Sequence, residues 1–102
     1  MRLFIDTSDS EKIVVGIDGE MFESQSRKEK SQALLGFIDE ILVKKGKKIS
    51  DVTEIKVVIG PGSFTGLRVG VSVANAIGWA LSIPVNGKDI SKGESVEIKY
   101  TT

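Results

Sequence analysis

The chain has 102 residues, 40% hydrophobic and 27% charged, with 14 basic side chains balancing 14 acidic ones. That length supports one small domain, and the neutral balance supplies no global field to attract nucleic acid. Cysteine and histidine are both absent, which excludes disulfides, thiolate nucleophiles, the usual zinc ligands and the commonest acid–base catalyst near neutral pH.

MRLFIDTSDS, at the N-terminus, carries one basic residue and a short apolar run stopped by Asp6, so it does not read as a signal peptide. RLFID, residues 2 to 6, reads as a buried strand that ends in a polar turn. KIVVGI (12–17) and MFESQS (21–26) flank Asp18-Gly19-Glu20. Asp-Gly between apolar runs signals a hairpin, so the first three strands predict an antiparallel meander. Leu34, Leu35, Ile38, Ile41 and Leu42 then share one face of an amphipathic helix over 31–45. Ser31 is its expected N-cap, Lys44 and Lys45 suit the dipole at its end, and Gly46 suits a left-handed stop. Asp39 and Glu40 fall on its polar, solvated side.

SDVTE (50–54) reads as one helical turn, and the β-branched run IKVVIG (55–60) as a central strand. A glycine-rich loop follows, then a second helix over 65–81 that ends before Pro84. This stretch is the most apolar in the chain, yet it contains Arg68 and Asn75. It falls short of the roughly 20 apolar residues a membrane span needs. IPVNGK is a short strand or extended segment closed by Asn86-Gly87, and ESVEIKY (94–100) alternates like a last strand. The order β-β-β-α-β-α-β predicts a mixed sheet with helices packed on it, an α/β fold.

The loop reads two ways. A strand, a glycine-rich turn and a helix N-terminus form an anion site. Gly60 and Gly62 would open the backbone, Ser63 and Thr65 add hydroxyls, and Arg68 adds a cation. The pattern lacks the Gly-Lys-Ser/Thr ending of a P-loop and misses the dinucleotide fingerprint by one residue. The alternative is a tight turn that needs glycine angles, with Ser63 or Thr65 capping the helix. Asp6-Thr7-Ser8 is equally two-sided: a group that orients a metal-bound water or a phosphate, or an Asx turn.

Gly66, Gly70, Ala74 and Gly78 recur every four residues, a stripe that lets another backbone approach closely. Val69, Val73, Ile77 and Leu81 form a ridge beside it, and Val71 and Trp79 carry the apolar surface round the helix. A helix apolar all round is buried all round. One sheet covers one side, so the other is expected to meet another chain, or else the first helix. The lysine clusters RKEK (27–30) and KKGKK (44–48) have no interleaved aromatics to stack bases, so they read as solvated rather than as an RNA surface. No nucleophile has an adjacent base and no ligand set is present, so no catalytic residue and no metal ligand is assigned.

FIDTS (4–8), SQALLGFIDEIL (31–42) and IKVVIGPGSFTGLRVGVSVANAIGWALSIPV (55–85) resemble the TsaB (YeaZ) family, with Gly60 to Arg68 as the most specific part. These are non-catalytic partners of the TsaD threonylcarbamoyltransferase in bacterial tRNA modification. The resemblance covers residues 2 to 86. It implies the N-terminal lobe of the actin-like, Hsp70-like (ribonuclease H-like) ATPase superfamily as a single domain over 1–102, with 86–102 a divergent tail. It implies homodimers, and heterodimers with a TsaD-like protein, through the two helices. The interface residues would be Leu34, Leu35, Ile38, Leu42, Gly66, Val69, Gly70, Val73, Ala74 and Ile77. TsaE, an ATPase, joins the assembly in bacteria, tRNA is met only indirectly, and the setting is the cytoplasm. Family members usually carry a second lobe, and the superfamily binds nucleotide in the cleft between lobes. This chain alone is therefore expected to hold no cofactor, with ATP or ADP bound only where a partner completes the site. Lys30 stands where relatives often carry a histidine. Two readings compete with this one: a small nucleotide-binding protein using Asp6, Thr7, Ser8, Gly60, Gly62, Ser63, Thr65 and Arg68, and a homodimeric relic with no link to tRNA.

Overall fold

The computed structural model describes residues 1–25, 30–94 and 96–98. β1 (Arg2–Asp6), β2 (Lys12–Ile17) and β3 (Glu20–Gln25) form the antiparallel meander. Asp18 and Gly19 turn β2 into β3 with φ of +48° and +89°, the double left-handed geometry of a type I′ hairpin. The Asp18 carboxylate accepts the Arg2 N–H at 2.8 Å, and that bond holds its pKa below the ordinary aspartate value.

The chain then forms α1 (Lys30–Lys44), β4 (Glu54–Val57), α2 (Phe64–Leu81), β5 (Pro84–Val85) and β6 (Lys88–Asp89). The strand order is β3-β2-β1-β4-β5-β6, with β4 parallel to both β1 and β5. The connections into β4 and into β5 step the same way across the sheet. Right-handed crossovers of that kind lay both helices on one face, and α1 and α2 pack against each other there. The alternation of each strand fills that face. Leu3, Ile5, Ile13, Val15, Ile55 and Val57 meet Leu34, Ile38, Ile41 and Leu42 of α1 and Val71, Val73 and Ala74 of α2. On the opposite face the register sets Met21, Gly16, Phe4 and Lys56 in one row.

The meander, both helices and the central strand form as the pattern predicts. The differences have local causes. α1 begins at Lys30, so Ser31 lies inside its first turn instead of capping it, and the cap position falls outside the described residues. Its other end closes as expected. Gly46 has φ +65°, Lys47 N–H donates to Leu42 O and Gly46 N–H to Val43 O, a Schellman stop. The short helical turn spans Ile49–Asp51, with the Asp51 carboxylate accepting the Lys48 N–H.

β4 stops at Val57, three residues early. Val58 N–H still reaches Ile5 O, but the chain leaves the sheet at Gly60 and Pro61, whose peptide bond is cis. Asn86-Gly87 forms a second two-residue turn, between β5 and β6. The Asn86 carboxamide exchanges two hydrogen bonds of 2.9 Å with the Val57 backbone, so a side chain extends the ladder of β4.

The expected last strand over 94–100 does not form in its described part. Glu94 and residues 96–98 are irregular, and 95, 99 and 100 lie outside the described residues. The physical reason is a competing partner. Asn75 on α2 donates to Val96 O at 2.9 Å and accepts the Val96 N–H at 3.3 Å, so this segment is bonded to a helix side chain and not to a strand.

Candidate functional site

The small-residue stripe of α2 turns toward this chain's own sheet. A Cβ at Gly70 would collide with the Thr7 hydroxyl, and a Cβ at Gly78 with Val85. Thr7 is fully buried, and its hydroxyl donates to the Gly66 carbonyl at 2.5 Å. The close approach that the stripe predicts is therefore made by β1 and β5, and the expectation that it serves a second chain is corrected. Of the ten residues expected at an interface, Leu34, Ile38, Leu42, Gly66, Gly70, Val73 and Ala74 are buried within the monomer. Leu35 is exposed, and Val69 and Ile77 are half-buried.

A groove of about 140 Å³ lies open on the helical layer, between α1, α2 and the turn at Ile49. Leu35, Ile38 and Leu42 line it from α1, Ile77 from α2, and Ile49 from the turn. The sixth lining residue is Asp39, which sequence spacing assigns to the solvated side. The spacing does place it four residues after Leu35, at the edge of the apolar stripe. It stays exposed, and the groove it borders is completed by Ile49 and Ile77, which are distant in sequence. Round the outer side of α2, Phe64 and Trp79 are 46% and 68% exposed, and the Arg68 guanidinium lies 5.6 Å from the centre of the Phe64 ring. These aromatic and guanidinium groups were not assigned to the interface by sequence reasoning. The apolar surface running round α2 to Trp79 was the signal that could have found them.

The glycine-rich loop meets the end of β1. Ser63 N–H donates to Ser8 O at 2.7 Å, and a Cβ at Gly62 would lie 2.6 Å from the Ser8 Cβ. Gly60 and Gly62 have φ of +150° and +154°, where other residues are strained. Ser8 in turn donates its N–H and its hydroxyl to Asp6 Oδ1, at 2.9 and 2.6 Å. Asp6, Thr7, Ser8, Gly62 and Ser63 are thus brought together, while Thr65, in the first turn of α2, and Arg68, just after it, are exposed.

Part of this cluster is committed to internal bonds: Ser8 N–H, the Ser8 hydroxyl and Ser63 N–H all donate within it. Ser63 caps α2, its side chain accepting the Gly66 N–H, and Ser63 O accepts the Leu67 N–H. Among the described residues no group of three or more Asp or Glu side chains is placed to hold a metal ion, and no helix is long and apolar enough to cross a membrane.

A three-stranded meander followed by two strand–helix crossovers, with a glycine-rich turn capping the second helix, is a lobe of the actin-like, ribonuclease H-like ATPase fold. The solved structure of YeaZ from Pseudomonas aeruginosa superposes with a TM-score of 0.70 and 29% identity, over 82% of this chain and 41% of that one. The family model described as TsaD, tRNA N6-adenosine threonylcarbamoyltransferase, matches residues 19–88, and the chain belongs to that family. It is similar to the Escherichia coli tRNA threonylcarbamoyladenosine biosynthesis protein TsaB, at 32% identity over 59% of this chain and 26% of that protein. It is also similar to the tRNA N6-adenosine threonylcarbamoyltransferase of Geotalea uraniireducens, at 38% identity over 71% of this chain and 21% of the enzyme. The chain spans about a quarter of the length of the curated relatives it matches.

Proposed function

We propose that this lobe is a non-catalytic partner subunit in the formation of threonylcarbamoyladenosine on tRNA, docking on a TsaD-like threonylcarbamoyltransferase in the cytoplasm. One observation carries the reading. The helical layer keeps an aliphatic groove open to solvent, lined by Leu35, Ile38, Leu42, Ile49 and Ile77. Leu35 and Ile49 are exposed there, Ile77 is half-buried, and the buried Ile38 and Leu42 form the floor. The bond from Ser63 N–H to Ser8 O supports a structural role for the loop, because it ties the end of β1 to the start of α2.

In this reading the transfer chemistry belongs to the TsaD-like partner. The same helical layer serves self-association when that partner is absent, and a TsaE-like ATPase and the tRNA are reached through the partner. Any ATP or ADP is held where the partner completes the loop. The test is reconstitution: the purified TsaD-like protein of the same organism, its tRNA and the activated threonylcarbamoyl donor, with and without this chain. Modified adenosine that accumulates only when the chain is present is the expected result. An equal rate without it removes the proposal.

A further inference from the structure

Asn75 stands on α2 two residues before Ile77. At about 100° of turn per residue its side chain leaves the helix on the side away from the groove. Its carboxamide is committed to one residue: it donates to Val96 O at 2.9 Å and accepts the Val96 N–H at 3.3 Å. The same pair of bonds joins Asn86 to Val57, and there the backbone held is the end of a strand. A carboxamide used in this way takes the place of a neighbouring strand. Burial agrees with an extended segment: Val96 is buried, Glu97 exposed and Ile98 half-buried, so alternate residues turn toward the protein. Val96 joins the apolar cluster that contains Val71, one turn before Asn75, and Ile90.

Two features make this more than a fold contact. The bonds go to backbone atoms, so they read no side chain, and selection rests on the aliphatic residue seated beneath and on the one two positions later. The hold is also small. Among the described residues beyond Glu94, one buried side chain and the two bonds of Val96 keep the segment on the helix. Such a segment opens while the sheet and helices stay folded. The family match ends at residue 88, so Asn75 lies within the shared lobe and Val96 beyond it. We propose that the flank of α2 at Asn75 is a binding site for an extended segment of polypeptide with aliphatic residues at alternate positions, read through its backbone, and that this chain keeps the site closed with its own residues 96–98. An incoming segment has to displace the tail, which therefore sets the threshold for binding. Neither the groove nor a TsaD-like protein enters this inference, so it stands apart from the docking role above.

The experiment is calorimetric titration of the synthetic peptide KGESVEIKYTT, the sequence of residues 92–102, into the whole chain as parent, as Val96→Asp and as Val96→Asp with Asn75→Ala. The carboxylate of Val96→Asp expels the tail from its seat. That variant is expected to bind the peptide, and the parent at least about tenfold more weakly, because its own tail competes. The double variant is expected to bind at least about tenfold more weakly than Val96→Asp, having lost both backbone bonds. Methylating the valine nitrogen of the peptide removes the N–H that Asn75 accepts and is expected to weaken binding too, which a purely apolar contact would not show. Circular dichroism melts check that each variant folds. Hydrogen exchange on the parent gives a reading that needs no variant: the Val96 N–H is expected to exchange by local opening, faster than the bonded N–H groups of β1 and β4. A folded Val96→Asp chain that takes no peptide, or that takes the methylated peptide equally well, overturns the site. A parent that binds as tightly as Val96→Asp, or a Val96 N–H that exchanges only with global unfolding, overturns its closure by the tail.

Discussion

Gly70→Leu is expected to unfold the chain, or to lower its stability by at least about 3 kcal/mol, the upper part of the range for overpacked cores. The cause lies beneath α2. A Cβ alone at this position collides with the Thr7 hydroxyl, and the Ile5 Cγ2 stands 3.4 Å away. Thr7 has no room to yield: it is fully buried, and its hydroxyl is committed to the Gly66 carbonyl. Leucine would force α2 off β1 and separate the two layers of the core. Helix propensity pulls the other way, but only by about 1 kcal/mol.

The contrast is Gly36 on α1, where an added Cβ meets nothing within 4 Å. Gly36→Ala is expected to stabilise by up to about 1 kcal/mol. Thermal melts of the two variants check both signs. A Gly70→Leu protein that melts with the parent would mean that α2 is not seated on β1 as described.

Leu35→Asp is expected to weaken the complex with a TsaD-like partner by about thirtyfold or more, the loss typical of a central interface residue. The side chain is half exposed on the wall of the groove, so the isolated chain should melt near the parent temperature. A charge there would face Ile38, Leu42, Ile49 and Ile77 with nothing to pair it. Trp79→Ala, on the outer side of α2, separates this groove from the exposed aromatic face. If Trp79→Ala abolishes the complex and Leu35→Asp spares it, the docking face is the outer one and the groove is not used.

Much of the fold is legible from the residues themselves. Asp18-Gly19 and Asn86-Gly87 demand left-handed backbone angles that only a few residues accept, and both become tight turns. The spacing of Leu34, Ile38, Ile41 and Leu42 can bury only as one face of a helix, and it does. What resists reading is whatever depends on the identity of a distant partner. The stripe of Gly66, Gly70, Ala74 and Gly78 announces that something comes close, but Thr7 and Val85 are named only by the register that brings β1 and β5 beneath α2.

The alternation of ESVEIKY is real and still yields no strand in its described part, because Asn75 takes the backbone of Val96. Asp39 is exposed, as its spacing predicts, and only the arrival of Ile49 and Ile77 puts it at the rim of a groove. The loop at Gly60 to Ser63 has the composition of an anion cradle, and its contact with the end of β1 shows only when Ser63 N–H is seen to bond Ser8 O. The site is therefore less legible than the fold, since a groove is built from elements that the sequence keeps apart.

The central claim is that this lobe acts by docking on a TsaD-like protein through its helical layer. The most direct measurement is the mass in solution by light scattering after size exclusion, for the 11.0 kDa chain alone, for the TsaD-like protein of the same organism, and for their mixture. A new species at the summed mass of one copy of each, lost with Leu35→Asp, is the expected result. Two unshifted peaks at stoichiometric mixing would contradict it, and the family resemblance would then mark ancestry without partnership.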